Sequence, residues 1–307
     1  MSQLQQERPG GAGPAAPVPA GATAGPRRPE AVATAGRFFR KGTTWLLALV
    51  WLVVVGAPIY YMIVTSLEPT SVYLSANPWF PTKGITGANY GAVFSSGIAS
   101  YFLNSVIVAG STTVLAVAVS LLAAYAIVVH AGRWTGIVFR CFMVGFAVPI
   151  QALMIPLYLA ILRTGLYDSL LGLILPMAAF SLPITILVLV NFLRDVPRSL
   201  IDAMRVDGAG PLRVLLRLVL PLSWPAIATV GVFDLVSSWN NFVFPLILTQ
   251  SPSQATLPLS VFNFEGNHLQ NVPEIMAAVA LSAVPLFVLY LFARRRLMSG
   301  LAAGLGA

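Results

Sequence analysis

Asp202-Ala203-Met204-Arg205-Val206-Asp207-Gly208-Ala209 is a polar stretch between two membrane-length apolar blocks, and Leu218-Val219-Leu220-Pro221 closes it before the second block begins. Its local chemistry spells helix, turn, helix. Ser199 stands where it can cap a helix over about 200–206. Asp207-Gly208 ends that helix, because glycine takes the left-handed conformation that helix termini use. Pro211 suits the first turn of a second helix, where its missing N–H costs nothing, and Leu212, Leu215, Leu216 and Val219 give that helix an apolar face. Pro221 and Pro225 then steer the chain into the next apolar run. The product is a hairpin over 199–221, larger than a connection between two spans requires.

Outward from the hairpin, composition sets the class. With 57% hydrophobic residues, 9% charged and a mean hydropathy of +0.83 over 307 residues, a soluble globular chain is excluded. Hydrocarbon about 30 Å thick is crossed by roughly 20 apolar residues as a helix, since every backbone polar group must be satisfied without water. Six such runs fall near 44–66, 99–129, 139–162, 169–193, 225–249 and 274–293. The expected fold is therefore all-α, with six transmembrane helices in a membrane domain over 37–307. Residues 1–36, rich in Pro, Ala and Gly, lack the apolar groups to offset ordering entropy and read as a disordered tail. The first apolar run starts too late and is too long for a cleavable signal peptide.

Basic residues give the orientation. Arg27, Arg28, Arg37, Arg40 and Lys41 precede span one, and Arg133 and Arg140 lie between spans two and three. Arg194, Arg198, Arg205, Arg213 and Arg217 surround the hairpin, and Arg294, Arg295 and Arg296 follow span six, leaving Lys83 and Arg163 opposite. The positive-inside rule then predicts that both termini and the hairpin are cytoplasmic in a multi-pass cell-membrane protein. Glu68, Asp168, Glu265 and Glu274 fall on the outer side. The formal charge of +8 is thus a mark of topology, and no basic folded domain for nucleic acid is present.

The chemistry-bearing residues are few. No Gly-x-x-x-x-Gly-Lys-Ser/Thr phosphate loop exists, neither Lys41 nor Lys83 has the preceding glycines, and no His-Glu-x-x-His pair occurs. The chain is expected not to be an enzyme and to bind no metal or cofactor of its own. Cys141, the single cysteine, excludes an internal disulfide framework and reads as packing; His130 and His268 read as surface residues. In span five, Asp234, Ser238 and Asn241 recur at helical spacing and form one polar stripe, with Ser237 adjacent. An unpaired charge at the middle of a bilayer costs about 2.5–3.5 kcal/mol on insertion scales, so Asp234 should face protein or a water-filled cavity. Two readings fit the stripe: contact with solute hydroxyls, or bonds to neighbouring helices or a partner subunit. Trp239 offers an aromatic face away from it. Prolines 149, 156, 176, 183 and 245 fit either broken helices around a path or packing kinks.

The hairpin resembles the signature of permease subunits of binding-protein-dependent ABC importers: Glu-Ala-Ala, three residues, Gly, nine residues, Ile, one residue, Leu-Pro. Asp202, Ala203 and Met204 stand at the first three positions, Gly208 at the glycine, Leu218 at the isoleucine, and Leu220-Pro221 at the closing pair. Asp207-Gly208-Ala209 also matches. From about Thr44 to the C-terminus the chain resembles the carbohydrate-uptake branch, through Asn104-Ser105, Ala123-Ala124-Tyr125-Ala126, Pro149-Ile150-Gln151 with Ile155-Pro156-Leu157-Tyr158, and Trp239-Asn240-Asn241-Phe242.

The resemblance implies that the hairpin is a coupling helix seated on a cytoplasmic ATPase subunit, which uses ATP and Mg. It further implies two ATPase copies, a second six-span permease, an extracytoplasmic solute-binding protein docking on loops near 66–98 and 250–273, and a sugar-like solute moved by alternating access. Asp202 would then meet a basic residue of the ATPase, or serve only its own helix through the dipole. The translocation path would involve Asp234, Ser238, Asn241 and Gln151. Other cargo is the alternative within this class. A secondary transporter or a membrane scaffold are the rivals outside it, and Asp234 as the sole acid of the stripe, with no internal repeat, disfavours the former.

Overall fold

The structure, a computed structural model, describes residues 30–75, 77, 79–80, 84–263 and 271–304. Every regular element among the described residues is a helix: α1 Glu30–Ser66, α2 Ala88–Ser95, α3 Ile98–Val129, α4 Arg133–Phe146, α5 Ile150–Arg163, α6 Leu170–Arg194, α7 Arg198–Val206 and α8 Pro211–Val214. A π-helical turn, Leu215–Val219, leads to α9 Leu220–Leu222, α10 Trp224–Trp239, α11 Val243–Leu248, α12 Leu257–Asn263 and α13 Val272–Gly304. Short 3-10 turns cover Tyr73–Ser75 and Pro252–Gln254. Most of the expected tail 1–36, together with Lys83, Glu265 and His268, lies outside the described residues. Its last residues, from Glu30 on, are helical instead, as the start of α1.

The described residues fall into two compact units, divided between Ala57 and Pro58. In the first, Trp45, Leu49, Trp51 and Leu52 of α1 are all more than half exposed. A helix this apolar and this bare has lipid or another protein as its natural surroundings. In the second unit α3, α6 and α10 make the core, where Leu121, Ala124, Ile186, Leu189, Val190 and Val230 pack together. Burying such side chains is worth about 1.5–3 kcal/mol each. The gradation is steep: 56% of the most apolar window of α6 is buried, against 17% for α13.

Four helices are long and apolar enough to cross a membrane alone: Thr43–Ser66, Ile98–Val129, Leu170–Arg194 and Val272–Leu291. The expected third and fifth spans differ. The run 139–162 is divided between α4 and α5, which meet at 103°. Pro149 causes the break, since proline supplies no N–H and forces Val148 out of helical geometry. The run 225–249 is also divided: α10 stops at Trp239, and the Asn241 Oδ1 caps α11 by accepting from the Phe244 N–H at 3.0 Å. The segment Pro211–Leu222 meets α10 at 76°. The described residues therefore hold four spans, or up to six if each bent pair crosses as one.

Candidate functional site

The turn of the hairpin is a Schellman closure. The Ala209 N–H donates to the Met204 carbonyl at 2.9 Å and the Gly208 N–H to the Arg205 carbonyl at 3.0 Å. Gly208 has φ +76°. A Cβ there would meet nothing within 4 Å, so the demand for glycine is conformational; any other residue pays about 1–2 kcal/mol for the left-handed backbone. Ala209 is buried and Met204 packs half-buried against the same core, which supplies the apolar contact that accompanies this closure.

Two local expectations are corrected. Helix α7 begins at Arg198 with Pro197 at the N-cap position, so Ser199 lies inside the helix and is not its cap. The second helix buries only half of the face 212, 215, 216, 219: Leu215 and Val219 are buried together with Val214, whereas Leu212 is 65% and Leu216 52% exposed. The cause is the π turn, whose i to i+5 pitch brings Val214 and Val219 to one side. Leu212 and Leu216 instead join Gly208, Gly210, Arg213 and Arg217 around an open depression of about 490 Å³.

The outer face of α7 has little to do within the chain. Asp202, 66% exposed, pairs with Arg205 at 3.6 Å across one helical turn, a contact worth a few tenths of a kcal/mol. Ala203, Asp207 and Gly208 are exposed as well, as is Pro221; Leu218 and Leu220 are half-buried against the core. The inner face is fixed by Ile201, 6% exposed, and by the Tyr125 hydroxyl of α3, which donates to the Pro211 carbonyl at 3.2 Å. Tyr125 gives the phrase Ala123-Ala124-Tyr125-Ala126 a physical role: it ties the hairpin to the central helix. An aromatic hydroxyl late in an apolar run was the available signal, because it needs a partner there.

The stripe of α10 is built the other way. Asp234 is 1% exposed and its Oδ2 accepts from the Thr185 hydroxyl of α6 at 3.0 Å. Ser238 is 7% exposed. Asn241 is engaged as the cap of α11, and Trp239 is buried, with its indole N–H donating to the Ser282 carbonyl of α13 at 3.4 Å. Gln151, at the start of α5, is exposed. Cys141, expected in packing, is exposed on α4 and lines an apolar groove of about 560 Å³ with Phe142, Phe146, Leu153 and Phe180, where the α4–α5 bend opens against α6. Among the described residues no cluster of three or more His, Cys, Asp or Glu could hold a metal ion.

At the other end of α3, polar side chains grip the segment after α11. Asn104 Nδ2 donates to the Ser253 and Ala255 carbonyls at 2.8 and 2.9 Å, and the Leu257 N–H donates to Ser105 Oγ at 2.8 Å. Asp168, from the α5–α6 connection, accepts at Oδ1 from the Gln250 and Ser251 N–H groups, both at 2.9 Å, and at Oδ2 from the Ser251 hydroxyl. These bonds, led by the Ser251 hydroxyl, hold the Asp168 carboxyl below the ordinary aspartate value. Beyond the end of α1, burial pushes the Glu68 carboxyl up, and the hydrogen bond shared with Tyr61, followed by burial, pushes the Tyr73 hydroxyl up to about 12.

A helical membrane scaffold agrees with the comparisons. Residues 116–302 match the family described as binding-protein-dependent transport system inner membrane component. The chain belongs to this family. It is thus a membrane component of a transport system, not itself an enzyme. It is 33% identical over 250 residues to the sulfoquinovosyl glycerol transport system permease protein SmoH of Agrobacterium fabrum, covering 80% of this chain and 87% of that one. It is 30% identical over 271 residues to the trehalose transport system permease protein SugB of Mycobacterium tuberculosis, covering 86% and 97%. The fold is similar to a chain of the bacterial ABC transporter involved in import of the acidic polysaccharide alginate, with TM-score 0.71 at 21% identity, covering 85% of this chain and 97% of that one.

Proposed function

We propose that the chain is one of two permeases of an ATP-driven importer that moves a sugar or related polyol delivered by an extracytoplasmic binding protein. The observation that carries this reading is the Schellman-closed hairpin, with Asp202, Ala203, Asp207 and Gly208 exposed on a rigid base. A polar surface held at fixed orientation, whose ion pair among the described residues is only the weak Asp202–Arg205 contact, is a docking face. Its occupant in this reading is a cytoplasmic ATPase, two copies serving the two permeases and using ATP and Mg.

The remaining parts follow from that assignment. A six-span arrangement keeps both termini and the hairpin on the cytoplasmic side, in agreement with the distribution of arginines. ATP-driven closure of the ATPase dimer would pull the hairpin, and the Tyr125–Pro211 bond and the π turn would pass that motion to α3 and α10. A sugar-like cargo is supported by relatives whose names specify sulfoquinovosyl glycerol and trehalose transport. A binding-protein partner is supported by the family description and by the likeness in fold, TM-score 0.63, to a bacterial alginate ABC transporter solved in complex with an alginate pentasaccharide-bound periplasmic protein. Within the path, Gln151 has the exposed amide for contact with solute, while Asp234 joins α10 to α6, Ser238 is buried and Asn241 caps α11.

Affinity purification of the tagged chain from its native membranes in mild detergent tests this reading. An ATPase and a second, related permease are expected to co-purify, with two ATPase copies for each copy of the tagged chain and of the second permease. An intact, monodisperse preparation with no ATPase would refute it.

A further inference from the structure

The segment from Thr249 to Leu257 is held in an unusual manner. It has one short 3-10 turn of its own, and its fixation comes from side chains distant in sequence. Asp168 anchors its start through two backbone N–H groups and a hydroxyl, Asn104 its middle through two carbonyls, and Ser105 its end through the Leu257 N–H. These anchors come from two separate elements, the head of α3 and the connection between α5 and α6. Asp168 itself has φ +58°, a conformation that aspartate and asparagine tolerate better than other non-glycine residues, and its own N–H donates to the Leu248 carbonyl at 2.9 Å.

Apart from the Ser251 hydroxyl, the anchors spend their hydrogen bonds on the backbone of the segment. Gln250, Pro252 and Ser253 are exposed, while Ala255, Thr256 and Leu257 are buried beneath them. The exposed row carries no charge and presents amide and hydroxyl groups. A loop fixed before its partner arrives avoids the ordering entropy that a mobile loop pays on association, and the benefit appears as affinity. The segment also lies at the far end of α3 from the hairpin: Asn104 and Ser105 hold the strap near one terminus, and Tyr125 holds the hairpin near the other. A partner on the strap is therefore on the side opposite the ATPase.

We propose that Asp168 and Asn104 are positioning residues that hold the strap 249–257 as a preformed, uncharged polar ledge on which the solute-binding protein docks. This rests on the importer reading above. Neither residue touches cargo. Each acts through the strap backbone, so the property it controls is the affinity of docking, not the turnover that follows.

The test is a titration of the purified, reconstituted transporter with its solute-loaded binding protein, reading ATPase rate for wild type, Asp168→Ala, Asn104→Ala and Asp168→Asn. Both alanine variants should raise the half-maximal binding-protein concentration about tenfold or more, with basal and maximal rates retained. Asp168→Asn should stay close to wild type, because its amide oxygen still accepts from Gln250 and Ser251 and asparagine suits the positive φ. A purely structural role would lower the maximal rate or the yield of folded complex and leave the half-maximal concentration alone. That result, or alanine variants that titrate like wild type, overturns the ledge while sparing the importer reading. A wild-type complex that binding protein does not stimulate overturns both.

Discussion

Asp202 and Asp234 are both acidic residues in a protein poor in charge, yet one is 66% exposed on the hairpin and the other 1% exposed inside the α6–α10 contact. Asp202 finds a neighbour on its own helix, a pair too weak to explain its presence. Asp234 receives a hydroxyl from another helix and links two elements of the core. The difference teaches how to interpret polar residues in a membrane protein. One that is buried with a partner on another helix is accounted for by the fold; one that is exposed on a rigid base points to a second molecule. By that criterion the hairpin is the proposed docking element, and Asp234 in the stripe of α10 is internal glue.

Substitutions at both places sharpen or break this contrast. The largest effect is expected at Gly208. Gly208→Val forces a β-branched residue into φ +76° and re-aims the hairpin, so solute uptake should fall to background while membrane insertion and yield are unchanged. Uptake assays beside a quantitative membrane blot check this, and normal uptake would remove the hairpin from the mechanism. A smaller effect belongs to Tyr125→Phe, which deletes one hydrogen bond worth about 1 kcal/mol between α3 and the hairpin. It should cut uptake severalfold and leave the ATPase bound. An unchanged rate would mean that the hairpin needs no tether to α3.

The strap gives a pH-dependent effect. Asp168 has a folded-state pKa below its ordinary value, so its stabilisation is fully present above about 3.9 and is lost as pH falls through the lower, folded value. Thermal unfolding of the wild type should show no Asp168-linked change between pH 7 and 5. Below about pH 4 the difference in stability between wild type and Asp168→Ala should shrink. A difference that instead grew on acidification would contradict the hydrogen-bond pattern. The smallest effect is at Asp234→Asn, which keeps an acceptor for Thr185 and removes a buried charge. Uptake affinity and cargo preference should stay within about twofold of wild type and melting should be unaffected or slightly improved. A marked loss of affinity would return Asp234 to the solute path.

The sequence carried the hairpin well, because its turn is written in local chemistry: Asp207-Gly208-Ala209 closes a helix and Pro211 opens one. The four uninterrupted spans were legible for a similar reason, since length and hydropathy suffice. The breaks at Ala147–Pro149 and Asn240–Phe242 were not, because the flanking residues stay apolar and a proline in a membrane run fits a kink as well as a bend of 103°. The π turn was equally hidden: a 3.6-residue period puts Leu212, Leu215, Leu216 and Val219 on one face, whereas the π turn buries Val214, Leu215 and Val219 and leaves Leu212 and Leu216 exposed. The strap could not be seen at all. Asn104 and Ser253 are 149 residues apart, and nothing in either neighbourhood names the other. Cys141 was placed in packing on residue type alone, whereas the α4–α5 bend leaves it facing an open groove.

Single-cysteine labelling addresses the outward-facing hairpin most directly. In a Cys141→Ser background, Ala203→Cys and Ser238→Cys would be exposed to a membrane-impermeant maleimide in inside-out vesicles, before and after the ATPase is stripped away. Ala203→Cys is predicted to be protected while the ATPase is bound and to react at least about tenfold faster once it is removed, as expected for a desolvated interface core. Ser238→Cys should stay unreactive in both states. Equal reactivity of Ala203→Cys with and without the ATPase would contradict the assignment of the hairpin as the docking element.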